Sequence, residues 1–170
     1  MVDFDAQLPG VPATAPGPLR AALHMAVPAW IALLGPRLVS IVLFGSVARG
    51  DARQASDIDV LIVAEGFPRS LRDRRRPLLA EWVRVRGALP AVEWNLVTKT
   101  PEEARTPSPL YLDLVEDGVL LFDRDGFFGG VLDALRARMR ALGSRRIYLS
   151  DGSWYWDLRP GFRFGEVVEL

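Results

Sequence analysis

The sequence predicts an α/β (α+β) fold, and three observations carry that prediction. Stretches with helical apolar spacing alternate along the chain with short runs of β-branched and aromatic residues. The length, 170 residues, suits one domain with a modest appendage. Apolar residues make up 49% of the chain, enough for an ordinary packed core, and no Cys is present to supply disulfides.

Each element can be read in turn. Residues 1–17 are rich in Pro, Gly and Ala, carry Asp3 and Asp5, and lack a basic leader, so they read as a flexible arm and not a signal peptide. Leu23, Val27, Trp30, Ile31 and Leu34 recur at helical spacing before Gly35 and Pro36, which predicts a helix over 19–34 with a bend at Pro28. Its apolar stretch falls short of the ~18 residues a membrane span needs and contains His24 and Pro28, so no membrane association and a cytoplasmic location are expected.

A continuous apolar run over 38–46 reads as a buried strand, the polar segment 48–56 as a turn, and 58–63 as a second buried strand interrupted by Asp59. Residues 69–86 have helical spacing despite Pro77, and 91–99 alternate as a third strand. Thr100, Pro101, Glu102 and Glu103 form a helix-start signal. A short helix over 109–117, a strand up to Asp123, an amphipathic helix over 127–142 and a hairpin around Asp151 and Gly152 follow. The predicted organisation is an arm over 1–17, a core over 18–125, and a helix-and-hairpin extension of the same domain over 126–170.

Composition narrows the chemistry. Lys plus Arg equals Asp plus Glu at 21 each, so no overall attraction to nucleic acid or anionic membranes is expected, and phosphate binding must be local. A single His, His24, excludes His-clustered metal sites and Ser-His-Asp triads, and the lack of Cys excludes thiol nucleophiles. Catalysis is left to carboxylates, hydroxyls, Arg and backbone groups.

The segment 43–63 concentrates those groups. Asp57 and Asp59 are predicted on one strand, where alternate residues share a face and stand roughly 6–7 Å apart. Two carboxylates among Ile58, Val60, Leu61, Ile62 and Val63 raise each other's pKa unless a divalent cation offsets the repulsion. Mg²⁺ prefers such oxygen ligands and shares its sites with substrate phosphates, which points to a nucleoside triphosphate. Gly45 and Ser46 end the first strand, where a missing side chain lets backbone amides approach phosphate, and Arg49 follows close by. Elsewhere, Arg72 to Arg76 read as a solvated helix face, His24 as structural, and Trp154, Tyr155 and Trp156 as anchors of the hairpin.

Gly45-Ser46, ten intervening residues and Asp57-Ile58-Asp59, with Ser46-Val47-Ala48-Arg49-Gly50 between, resemble the signature of the DNA polymerase β-type nucleotidyltransferase superfamily, in its minimal nucleotidyltransferase branch. The resemblance implies a mixed sheet flanked by helices, and a third carboxylate on a later strand, which Glu93 between Val92 and Trp94 matches with Glu for the usual Asp. It implies Mg²⁺-dependent nucleotidyl transfer, AMP from ATP, to an acceptor hydroxyl with release of pyrophosphate. Asp57, Asp59 and Glu93 then serve as metal ligands and catalytic groups, with Glu93 on the acceptor side as ligand or general base, and Gly45, Ser46 and Arg49 bind the triphosphate.

Minimal members resemble antitoxins that modify a HEPN-type ribonuclease, and the lack of a second substrate domain fits a protein acceptor. Aminoglycoside-type transfer needs a further helical domain that this length does not hold. A non-catalytic module that masks a partner protein is the alternative, and self-association stays open.

Overall fold

The computed structural model describes residues 10–162. Four strands, β1 (Leu38–Phe44), β2 (Ile58–Ala64), β3 (Trp94–Lys99) and β4 (Val119–Asp123), form a mixed sheet in the order β3-β2-β1-β4. β1 runs antiparallel to both neighbours, while β2 and β3 are parallel. The two central strands are covered on both faces, which is why they read as nearly continuous apolar runs. Asp59 is the polar interruption.

One extra residue in β1, between Leu38 and Ser40, shifts the strand's alternation. Downstream of it, Ile41 and Leu43 face one layer, and Ser40, Val42 and Phe44, paired with Val63, Leu61 and Asp59, face the other. The first layer is α1 (Gly17–Leu34) and α3 (Leu71–Val85), whose Leu23, Val27, Trp30, Leu78 and Trp82 pack on the sheet. Trp94 of β3 stands edge-on to Trp30 and Trp82, at centroid separations of 4.8 and 5.4 Å. The second layer is α5 (Pro109–Asp117) and α6 (Phe127–Leu142), contributing Tyr111, Leu114, Phe128, Leu132 and Leu135. Asp123 receives the Ser40 hydroxyl and the Phe128 and Gly129 amides, which ties the end of β4 to the start of α6.

Several expectations change. Residues 1–9 of the expected arm lie outside the described residues, as does the end of the extension, 163–170. Residues 10–16 rest on the body, with Ala15 buried. α1 runs through Pro28 as one helix. With the turn after it, Gly17–Arg37, it is long and apolar enough by length and composition to cross a membrane, contrary to the sequence reading, with a mean hydropathy of 1.3 and 44% of the window buried inside the protein. The predicted turn after β1 begins as a short helix, α2 (Gly45–Arg49), closed by left-handed Gly50.

The expected solvated face at Arg72 to Arg76 is also corrected, because Arg74 is buried. Its guanidinium donates to both oxygens of Glu103, at 2.6 and 2.9 Å, and to the carbonyls of Pro68 and Thr98. Glu103 belongs to α4 (Pro101–Ala104), where it also completes a capping box with Thr100. One carboxylate therefore fixes both a helix start and a buried cation.

Arg74 first, and then the Thr100 amide, hold the Glu103 carboxyl down at about 2 from an ordinary 4.5. A depressed carboxylate stabilises the fold above its unfolded value, and that contribution is lost as pH falls from 4.5 through about 2. Urea denaturation at a series of pH values is expected to show a parent advantage over Glu103→Gln at neutral pH that shrinks across this window.

Candidate active site

The polar corner of the sheet lies where β1 ends and β2 and β3 begin. Phe44 pairs with Asp59, so the turn into α2 passes directly over the Asp59 side chain. Gly45 has φ +71°, and a Cβ placed on it would lie 2.0 Å from Asp59 Oδ2. Only glycine fits there, on both steric and backbone grounds. The carboxylate thus rests against bare backbone, and Ser46 follows at once on α2.

Asp57 stands one residue before β2, not on the strand as the sequence predicts. Glu93 likewise precedes β3, and its carbonyl accepts the Ile58 amide at 2.9 Å. The parallel register sets Ile58 beside Trp94 and Asp59 beside Asn95. Asp57 and Glu93 therefore flank the same corner, both exposed, whereas Asp59 is half-buried. Among the described residues no three carboxylate or imidazole groups converge to hold a metal ion, so Glu93 shares the corner without closing a ligand shell with the two aspartates.

Asn95 is the group that sequence reasoning missed. Its side-chain amide donates to Asp59 Oδ1 at 2.8 Å. Its position two residues after Glu93 is a signal only once the parallel pairing of β2 and β3 is known. Burial pushes the Asp59 carboxyl above its ordinary value, the Asn95 bond opposes this, Asp57 adds to the rise, and the nearby Arg49 charge offsets it.

Arg49 makes a two-point ion pair with Asp51, at 3.1 and 3.4 Å, while its guanidinium lies 4.9 Å from the centre of the Trp154 ring. That ring belongs to the C-terminal hairpin, β5 (Arg145–Tyr148) and β6 (Trp154–Asp157). As expected, Trp154 and Trp156 anchor the hairpin: both indole N–H groups donate to Asp113 Oδ1 of α5, each at 2.9 Å. Tyr155 is instead exposed.

Two grooves lie away from this corner. One of about 640 Å³ runs past Arg105, Phe127 and Leu135, and one of about 790 Å³ past Arg72, Arg76 and Val83. Chemistry points instead to the open corner, where carboxylates, a glycine-only backbone approach and an arginine meet.

A family model for the nucleotidyltransferase domain matches residues 32–120, which includes this corner. A Methanocaldococcus jannaschii protein described as a candidate protein adenylyltransferase is 30% identical over 105 residues, covering 60% of this chain and 70% of its own. Among solved structures, a toxin-antitoxin crystal structure with AMP-PNP aligns at 21% identity and a TM-score of 0.46, over 69% of this chain and 90% of its own. A candidate nucleotidyltransferase from Sulfolobus solfataricus aligns at 23% identity and a TM-score of 0.38, over 65% and 91%.

Two substitutions test the corner. Gly45→Ala is expected to destabilise the fold by about 1–2 kcal/mol through its left-handed backbone alone, and to displace the Asp59 carboxylate, both readable by denaturation and by NMR of the Asp59 side chain. Asn95→Ala is expected to raise the Asp59 titration midpoint in a metal-free carboxyl NMR titration, because it removes a bond that favours the ionised form.

Proposed function

Because this chain belongs to the nucleotidyltransferase domain family and is an enzyme of that class, we propose that it moves the AMP portion of ATP onto a hydroxyl of an acceptor protein. The acceptor oxygen attacks the α-phosphorus, the bond from that phosphorus to the β-phosphate oxygen breaks, and pyrophosphate leaves in line. The observation that carries the reading is the Asp59 carboxylate seated against Gly45 beside Asp57. A protein acceptor and AMP are supported by the name of the Methanocaldococcus relative.

Asp57 and Asp59 are the residues that would hold Mg²⁺. Hard carboxylate oxygens suit that ion, and a half-buried Asp59 whose charge is opposed by burial and by Asp57 gains from a cation. When bound, Mg²⁺ supplies charge neutralisation at the reacting phosphate and its leaving oxygen. Gly45 and Ser46 let the triphosphate approach backbone and hydroxyl donors, and Arg49 exchanges Asp51 for phosphate oxygens. Asn95 keeps Asp59 aimed into the corner. Glu93, exposed at its edge, takes the acceptor's hydroxyl proton. The site is open, and a macromolecular acceptor would close it against water.

The minimal-nucleotidyltransferase resemblance of the Gly45-Ser46 and Asp57-Asp59 motif supports a cytoplasmic antitoxin whose acceptor is a HEPN-type ribonuclease.

The test is transfer of label from α-labelled ATP, with Mg²⁺, to the product of the adjacent gene. Asp57→Asn and Asp59→Asn are each expected to lose at least about a hundredfold in rate, as removal of a key electrostatic group does. Transfer by the parent no greater than by Asp57→Asn, with partner binding intact, would make the protein a masking module instead.

A further inference from the structure

The hairpin is held to α5 far more firmly than a decorative extension needs. Trp154 and Trp156 share one acceptor, Asp113 Oδ1. The Arg146 guanidinium lies over both rings, 5.0 and 5.1 Å from their centres, and pairs with Asp113 and Asp117 at 3.1 and 2.8 Å. Its side chain is only 8% exposed. These contacts leave Trp154 little freedom to turn. The same ring meets Arg49 at the mouth of the candidate site.

We propose that Trp154 is a positioning residue for Arg49: its ring holds the guanidinium by one face and leaves the edge, now occupied by Asp51, to exchange onto the triphosphate. This rests on the nucleotidyl-transfer reading above and assigns the C-terminal extension a part in nucleotide binding. The geometry suits the division of labour. A guanidinium stacks through its face and binds carboxylate or phosphate through in-plane N–H groups, so the two contacts do not compete. Asp51 and phosphate do compete, since both take the edge. A long arginine side chain otherwise pays rotamer entropy on binding, and a ring already fixed by Asp113 removes part of that cost in advance.

Two substitutions in the full chain separate positioning from anchoring. Trp154→Gln keeps an N–H donor for Asp113 without an aromatic face, and Trp154→Phe keeps a face without the donor. Binding of Mg²⁺ and a non-hydrolysable ATP analogue is measured by calorimetry, with folding checked by thermal melting. Trp154→Gln is expected to weaken binding about two- to fivefold, the change an exposed cation–π contact supplies, and Trp154→Phe to bind within about twofold of the parent on the same scale. In an Arg49→Ala background, Trp154→Gln is expected to add nothing.

Weak binding by Trp154→Phe with normal binding by Trp154→Gln would show that anchoring matters, and would overturn the proposal. Equal loss in both, no loss in either, or additive loss with Arg49→Ala would also overturn it. A parent that does not bind the analogue would instead sink the nucleotidyltransferase reading itself. Should Trp154→Gln fail to fold, ring-current displacement of the Arg49 Nε–H signal in the parent, and its movement on adding the analogue, decides the question. An undisplaced or unmoved signal overturns the proposal.

Discussion

A carboxylate lying against a backbone atom, with no side chain between them, organises this molecule's polar corner. For Asp59 to sit there, β1 and β2 must pair in a register that brings Phe44 opposite it, and the next residue must be glycine. That register is enforced by burial. Slipping it by one residue would turn Ile41, Leu43, Val60 and Ile62 away from the α1–α3 layer and expose or misplace them. The chemistry at the corner is therefore bound to the packing of the core, and the packing is the stiffer partner.

Charge at the corner is managed by neighbours of modest strength. Asn95 supplies a neutral donor, Arg49 acts at longer range, and Asp57 stays outside in water. None of these groups cancels the negative charge, and that suits the proposed binding of a cation and a polyanionic substrate together. A stronger internal counter-ion would compete with both. By contrast, the two-point ion pair of Arg74 with Glu103, away from the corner, is structural, and joins α3 to the helix that follows β3.

Much of this was legible in the sequence, and what was not has identifiable physics. Helices and strands declared themselves because periodicity is local: the 127–142 helix and its Gly143 stop match the structure. The motif of Gly45, Ser46, Asp57 and Asp59 could be read because glycine and paired carboxylates are conspicuous in an apolar setting, and the mixed sheet flanked by helices followed from the family resemblance that this motif carries. Asn95 could not, because its meaning depends on a partner 36 residues away in a parallel register. Arg74 was misread for the same kind of reason, since it lies in a run of arginines and the partner that lets it be buried, Glu103, is 29 positions downstream. Aromatic residues in the hairpin suggested anchoring, yet the anchor point, Asp113, lies on a helix 41 residues earlier. Contacts that join distant segments are invisible to pattern reading, and those contacts connect the extension to the corner.

The extra residue in β1 has a further effect on how this architecture can change. Upstream of it, the strand's phase is fixed by the turn leaving α1, and downstream by the demands of Phe44 and Asp59. A bulge between the two behaves like a slip clutch. The bulge uncouples the phase of the strand's start from that of its far end, so a change of phase at the start need not reach Phe44. Drift in the length of the α1–β1 connection is then tolerated, while the same change between Ser40 and Gly45 would carry the glycine off the carboxylate it was selected to fit.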